Sequence, residues 1–196
     1  MRSIHASYPR HSPNHALAGR QCRKPAFTLV EILMVVIILG IASAVIVPNL
    51  GTRNDMNVAA AARVIMADLM YAQNRAIVTQ SMHYVPIDVA GQAYSILSSK
   101  PNASPIVYVP NPVTGQNYVT KFNNASNPGL QPAKLQAVSV DGKACIAFDE
   151  LGQPYSWDPA TGNSTALVNK ATIPVKCGNF LLTVYVEPYT GALTVQ

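Results

Sequence analysis

The sequence predicts an α+β fold in which one long N-terminal helix, apolar in its first half and amphipathic in its second, packs on an antiparallel β-sheet domain. Three observations carry this reading. From Phe27 to Val47 run 21 residues of which Glu31 alone is charged. Further on, Val58, Ala62, Ile65, Leu69, Ala72 and Ala76 recur at steps of three and four, a single helical stripe. Beyond Ser81 the apolar period drops from about 3.6 to about 2, the period of strands. The expected organisation is a basic leader over residues 1–26, a helix over 27–81 that crosses a membrane at 27–47, and a β-rich globular domain over 82–196.

The leader holds Arg2, Arg10, Arg20, Arg23 and Lys24, no acidic residue, and three of the four histidines. The whole chain has 14 Lys and Arg against 9 Asp and Glu, so without these five the balance is 14 − 5 = 9 against 9. The basic excess therefore belongs to the leader, and it carries no argument for nucleic-acid binding.

At about 1.5 Å per residue, the apolar run is long enough for the roughly 30 Å of a bilayer core. The basic flank keeps the N-terminus cytoplasmic by the positive-inside rule and places everything after Pro48 across the membrane. A carboxylate at the bilayer centre costs about 2.5–3.5 kcal/mol, so Glu31 needs a reason. A plain membrane anchor with Glu31 near the interface is one reading. A secretory signal peptide cut after Ala44 is another, because Ala42-Ser43-Ala44 satisfies the small-x-small pattern. Pro48 then breaks or kinks the helix, beside Asn49 and Gly51.

The order of basic leader, Ala26-Phe27-Thr28-Leu29-Val30-Glu31 and uncharged apolar helix resembles the class III signal of type IV prepilins and type II secretion pseudopilins. The resemblance implies that a prepilin peptidase cuts between Ala26 and Phe27 on the cytoplasmic side and N-methylates Phe27, while the apolar helix is retained. Ala26 stands where that family usually has Gly. The new Phe27 amine is largely cationic near neutral pH. Glu31, four residues on and near the positive helix end, is expected to pair with it or with a neighbouring subunit's amine and so set register in a filament core.

The amphipathic stretch needs a surface for its stripe, most economically a sheet built from the remaining chain. Asp68 to Ile77, with Asn74-Arg75-Ala76-Ile77, is similar to the GspH/FimT branch of that family, although the branch's acidic residue is missing. Met82–Val89 and Ala93–Ser98 read as a hairpin. Residues 100–133 form a long Pro-, Asn- and Gly-rich segment, expected as exposed variable surface, with short strands at Ile106–Val109 and Tyr118–Phe122. Further strands are expected at Leu135–Val140, Ala144–Phe148, Pro154–Trp157, Phe180–Glu187 and Ala192–Val195, with turns at Asp141-Gly142 and Thr190-Gly191. Phe148 to Gly152 and Pro188 to Val195 echo the F-x-x-x-G and terminal T-G-x strands of GspH/FimT domains.

Cys145 and Cys177 are an even count in a compartment where disulfides persist, and a bridge worth roughly 3–4 kcal/mol is expected, with two buried thiols as the alternative. No catalytic residue, metal site or cofactor is predicted. His83 is the only histidine after the leader, and Asp149-Glu150 and Asp158 sit beside turn residues as solvated acids. The resemblance implies a non-enzymatic subunit, a minor pilin or H-type pseudopilin that assembles into or primes a type IV pilus-like filament. Its partners would be the prepilin peptidase, other pilins or pseudopilins and an inner-membrane assembly platform. Its location would be the bacterial inner membrane, single-pass, with a periplasmic domain that joins the filament. The alternatives are a FimT-like minor pilin for DNA uptake and a periplasmic β-domain released by cleavage after Ala44. Residues 177–196 hold no Lys or Arg and one Glu, which disfavours nucleic acid.

Overall fold

A computed structural model describes residues 27–49, 53–122 and 130–196. The leader expected over 1–26, with Ala26, lies outside the described residues, as does Gly51. The chain divides into two units, residues 1–47 and 48–196. In the first, α1 spans Leu29–Asn49, with Pro48 in its last turn. Among the described residues no helix is long and apolar enough to cross a membrane, the described side chains of α1 ending at Ser43.

The second unit is built on α2, Arg53–Thr79. Its stripe is buried as the periodicity requires: Val58, Ala62, Ile65, Leu69, Ala72 and Ala76, joined by Ala61, have almost no exposed surface. Four of these seven are alanines, which let the sheets approach the helix closely. At its end Gln80 takes a left-handed conformation (φ 49°), and the N–H groups of Gln80 and Ser81 bond back to the carbonyls of Ile77 and Ala76. This closes the last turn without glycine, and Gln80 Nε2 also donates to Ile77 O at 2.7 Å.

Ten strands follow, every pairing antiparallel. They are β1 His83–Asp88, β2 Ala93–Ser95, β3 Val119–Lys121, β4 Lys134–Leu135 and β5 Cys145–Phe148. Then come β6 Pro154–Trp157, β7 Ser164–Ala166, β8 Ala171–Cys177, β9 Phe180–Val186 and β10 Leu193–Val195. Six form one sheet in the order β3-β2-β1-β5-β6-β7, and four another, β10-β9-β8-β4. The inward residues Val85, Ile87, Ile146 and Phe148 of the first sheet and Ile173, Val175, Val184 and Val186 of the second share one core with the α2 stripe. The opposite face of the larger sheet carries a smaller cluster of Tyr84, Leu97, Cys145, Ala147 and Trp157.

Several expectations need correction. β7 and β8 were not predicted. Pro174 argues locally against a strand, yet it pairs with Thr183 inside β8 and accepts Gln136 N–H at 2.9 Å through its carbonyl. The strand expected over Leu135–Val140 is regular only at Lys134–Leu135, although Ser139 still exchanges two bonds with Thr172. Ile106–Val109 forms one isolated bridge, Tyr108 with Leu97, rather than a strand. The Pro-rich segment is not merely surface: Val109, Tyr118, Phe122, Leu130 and Ala133 are core residues. The disulfide is absent. Cys145 points outward from β5 into the small cluster, while Cys177 ends β8 in the main core, so the thiols belong to different sheets and both are free and buried. Burial pushes the Cys145 thiol up to about 12 and raises Cys177 as well, which keeps both protonated.

One buried polar cluster was invisible to periodicity. Asp68, 8% exposed on the buried side of α2, accepts hydrogen bonds from Tyr94 Oη (2.6 Å), Tyr118 Oη (2.8 Å) and Thr120 Oγ1 (3.0 Å). Burial first, and Asp68 next, push both phenols well above the usual tyrosine range. A second polar tie is Gln92, whose amide accepts Leu135 N–H (2.7 Å) and donates to Leu135 O (3.0 Å), joining the first hairpin to β4 of the other sheet.

Asp68→Ala strands three hydroxyls in the core and should cost about 2–4 kcal/mol in denaturant unfolding followed by the fluorescence of the single tryptophan, Trp157. The raised phenol values also set a pH dependence. Stability from Tyr94 and Tyr118 should be complete below the unfolded value of about 10 and fall as pH rises beyond it. Tyr118→Phe should blunt that alkaline loss in the same assay.

Candidate functional site

The N-terminal site begins at Phe27, 75% exposed and just ahead of α1. Thr28 is the helix cap: its Oγ1 accepts Glu31 N–H at 3.1 Å, and its carbonyl accepts Ile32 N–H at 3.2 Å. Thr28-Leu29-Val30-Glu31 thus reads as a capping box, a signal present in the sequence and missed above. The cap also revises the geometry expected for Glu31. Phe27 lies before the helix, not one turn below Glu31 on its face, so an amine there would sit at the open N-terminal end of α1. Glu31 is exposed in the first turn, where unpaired N–H groups concentrate positive potential.

Every large apolar side chain described in α1, from Leu29 to Ile41, is exposed. Ser43 has its hydroxyl internally satisfied by Leu39 O at 2.6 Å. A helix apolar on all sides, with its polar side chain bonded to its own backbone, is suited to lipid or to other helices and not to water.

In the second unit the two motif-bearing loops meet at one side chain. Gln73 Nε2 of α2 donates to Gly152 O at 2.8 Å and to Thr190 O at 3.4 Å. Gly152 (φ +80°) and Gly191 (φ +66°) both need the left-handed region, and a Cβ at Gly191 would lie 2.5 Å from Gln73 Nε2 and 2.9 Å from Gly152 O. The F-x-x-x-G and T-G segments are therefore one structural device, a clasp that holds two loops on the helix.

The candidate acids Asp149 and Asp158 are engaged in turns. Asp149 Oδ1 accepts Leu151 and Gln153 N–H, and Asp158 accepts Ala160 N–H while pairing with Lys143 at 2.9 Å. That hydrogen-bonded lysine holds the Asp158 carboxyl below the usual range. His83 is buried, its Nδ1 2.9 Å from Ser81 O, and burial lowers its affinity for a proton. A shallow cleft of about 280 Å³ lies between Pro86, Asp88, Ser95, Tyr108 and Val119. Its carboxylate, Asp88, is committed to Gly91 N–H at 2.9 Å. Among the described residues no cluster of His, Cys, Asp or Glu could hold a metal ion.

Residues 22–47 match the family model of the prokaryotic N-terminal methylation motif. Among curated proteins none matches the chain significantly. Among solved structures, the minor pseudopilin EpsH from the Type 2 Secretion System of Vibrio cholerae aligns with a TM-score of 0.49 at 12% identity, over 71% of this chain and 96% of its own.

The clasp generates a direct test. Gly191→Ala should destabilise the domain by about 2–4 kcal/mol in chemical unfolding, because it combines an unfavourable φ with a clash. Gln73→Ala removes the shared donor and should cost about 1–3 kcal/mol. In the double variant the two losses should fall short of their sum, since both act on one contact.

Proposed function

From a chain whose N-terminal segment carries the N-methylation motif of type IV prepilins and pseudopilins, we propose a minor pilin or H-type pseudopilin, a structural subunit that joins or primes a type IV pilus-like filament of a pilus or a type II secretion system. The observation that carries the proposal is the junction itself. The motif match spans residues 22–47, and within it Phe27 stands exposed immediately before a capped helix whose only charged side chain is Glu31. A peptidase acting at the cytoplasmic face would cut ahead of Phe27, and the product would keep α1 as its anchor.

In this reading residues 27–47 cross the inner membrane with the N-terminus cytoplasmic, and the domain from Pro48 onward is periplasmic. Pro48 lies in the last turn of α1. The amine of Phe27, cationic after cleavage, would lie at the positive end of α1, where it is electrostatically disfavoured. Glu31, three residues past the cap, is the side chain placed to neutralise it, either within the subunit or from a neighbour packed in the filament core. A lone charge in that core costs several kcal/mol and a matched pair far less, so pairing would favour one axial register over others. The clasp of Gln73 on the F-x-x-x-G and T-G loops supports the GspH/FimT branch, since it gives both short motifs one structural purpose. The partners would be the prepilin peptidase, other pilins or pseudopilins and the assembly platform.

Two tests follow. Mass spectrometry of the mature protein should find N-methyl-Phe27 as the first residue, and Ala26→Glu should leave uncut precursor in the membrane. A mature N-terminus at Val45 would overturn the reading in favour of a released periplasmic domain. Glu31→Leu removes a charge from an apolar helix and should insert at least as well as the parent. Its recovery in sheared filaments should nonetheless drop at least tenfold relative to membrane levels. Normal incorporation would show that the carboxylate has no part in assembly.

A further inference from the structure

The end of the β-domain from which α2 starts has a surface that folding within the chain does not explain. The β8–β9 hairpin tip, Cys177 to Phe180, reaches the first turn of α2: Cys177 Sγ is 3.4 Å from Asn54 Oδ1, and a Cβ on Gly178 would lie 2.7 Å from Asn54 Nδ2. Hairpin tips are ordinarily polar, yet here Phe180 and Leu181 are 45% and 55% exposed, and Met56, on the outer side of the same helix turn, is 68% exposed. Across the sheet, Lys134 pairs with Lys176 and Lys176 with Leu181, which puts both lysines and the leucine in one row on one face. Like charges directly opposite in a sheet destabilise it, and the ion pairs found among the described residues, Lys143 with Asp158 and Lys170 with Glu187, include neither lysine. Asp55, the one acid in the first turn of α2, accepts the adjacent Met56 N–H. Apolar tips flanked by paired lysines are the composition of an interfacial lipid contact.

Covalent connection supplies the occupant. The four residue steps from Asn49, which ends α1, to Arg53, which starts α2, reach at most about 14 Å, so this pole is tethered to the apolar segment by a short connection. We propose that the pole rests on the membrane before assembly, with Met56, Phe180 and Leu181 entering the headgroup layer of an anionic bilayer and Lys134 and Lys176 engaging its phosphates. The proposal rests on the reading of residues 27–47 as a membrane span. Contact with lipid offsets the lysine repulsion, covers the apolar tip and holds the unassembled subunit in a defined tilt. Extraction into a filament then has to break this contact.

The test uses the full chain with Cys22→Ser, reconstituted in phosphatidylcholine vesicles with or without phosphatidylglycerol. An environment-sensitive fluorophore is placed at Leu181→Cys, at Val168→Cys beyond the opposite end of β8, or at Val36→Cys in α1; Cys145 and Cys177 are buried and do not label. Headgroup-level spin-labelled lipid should quench the Leu181 probe severalfold more than the Val168 probe, and deep labels should quench Val36. Lys134→Gln with Lys176→Gln, both exposed positions, should lower Leu181 quenching at least fivefold in phosphatidylglycerol vesicles and leave Val36 unchanged. If Val36 is quenched and Leu181 behaves like Val168, or if the lysine changes have no effect, the proposal is wrong and the span survives. A Leu181 probe that shifts to the blue with protein density but escapes lipid quenching would assign the patch to a second copy, which also overturns the proposal. An unquenched Val36 removes the span reading and the lipid contact with it.

Discussion

The closure of both sheets on one helical stripe is the constraint on which the rest of the domain depends. Val58, Ala62, Ile65, Leu69, Ala72 and Ala76 share one core with strands of both sheets. Alanine at 61, 62, 72 and 76 sets the depth to which the strands can approach, while Ile65 and Leu69 are the largest buried side chains of the stripe. A larger side chain at any of the alanines would push a sheet outward and open the polar ties that bind it. Core overpacking typically costs about 1–3 kcal/mol, a large part of a domain's net stability.

Those ties have a common logic. Asp68, Gln73 and Gln92 are the points at which apolar contact, which has no direction, is converted into register. Asp68 orients Tyr94, Tyr118 and Thr120 and so fixes β2 and β3 against the helix. Gln92 binds the backbone of Leu135 on the other sheet, and Gln73 holds the loops at Gly152 and Thr190. Each lies between segments far apart in sequence. Asp68 also satisfies hydroxyls that would otherwise be buried without partners, so loss of one side is more costly than the bond itself is stabilising.

The first unit obeys a different physics. Every large apolar side chain described in α1 is exposed, so its stability depends on what surrounds it. The Thr28 cap and the Ser43 back-bond satisfy polar groups from within, as a low-dielectric environment demands. Glu31 is the one charged side chain of α1, and it is exposed in the first turn.

The sequence by itself determined whatever depends on near neighbours. The α2 stripe, the β1–β2 hairpin, the Asp141-Gly142 and Thr190-Gly191 turns, the strand Pro154–Trp157 and the Thr28-x-x-Glu31 cap are local patterns, and their periodicity or turn chemistry fixes them before any tertiary contact forms. Only the tertiary structure decided the rest. β8 becomes a strand despite Pro174 because β9 pairs with all seven of its residues, and Tyr118, Phe122, Leu130 and Ala133 enter the core shared with α2. Cys145 and Cys177 stay apart because their strands belong to different sheets, which no count of cysteines reveals. Asp68 looks like a surface acid in a helical pattern, and three hydroxyls from strands and loops 26 to 52 residues away make its burial possible. Burial of a polar group depends on partners brought from a distance, and that information resides in the fold.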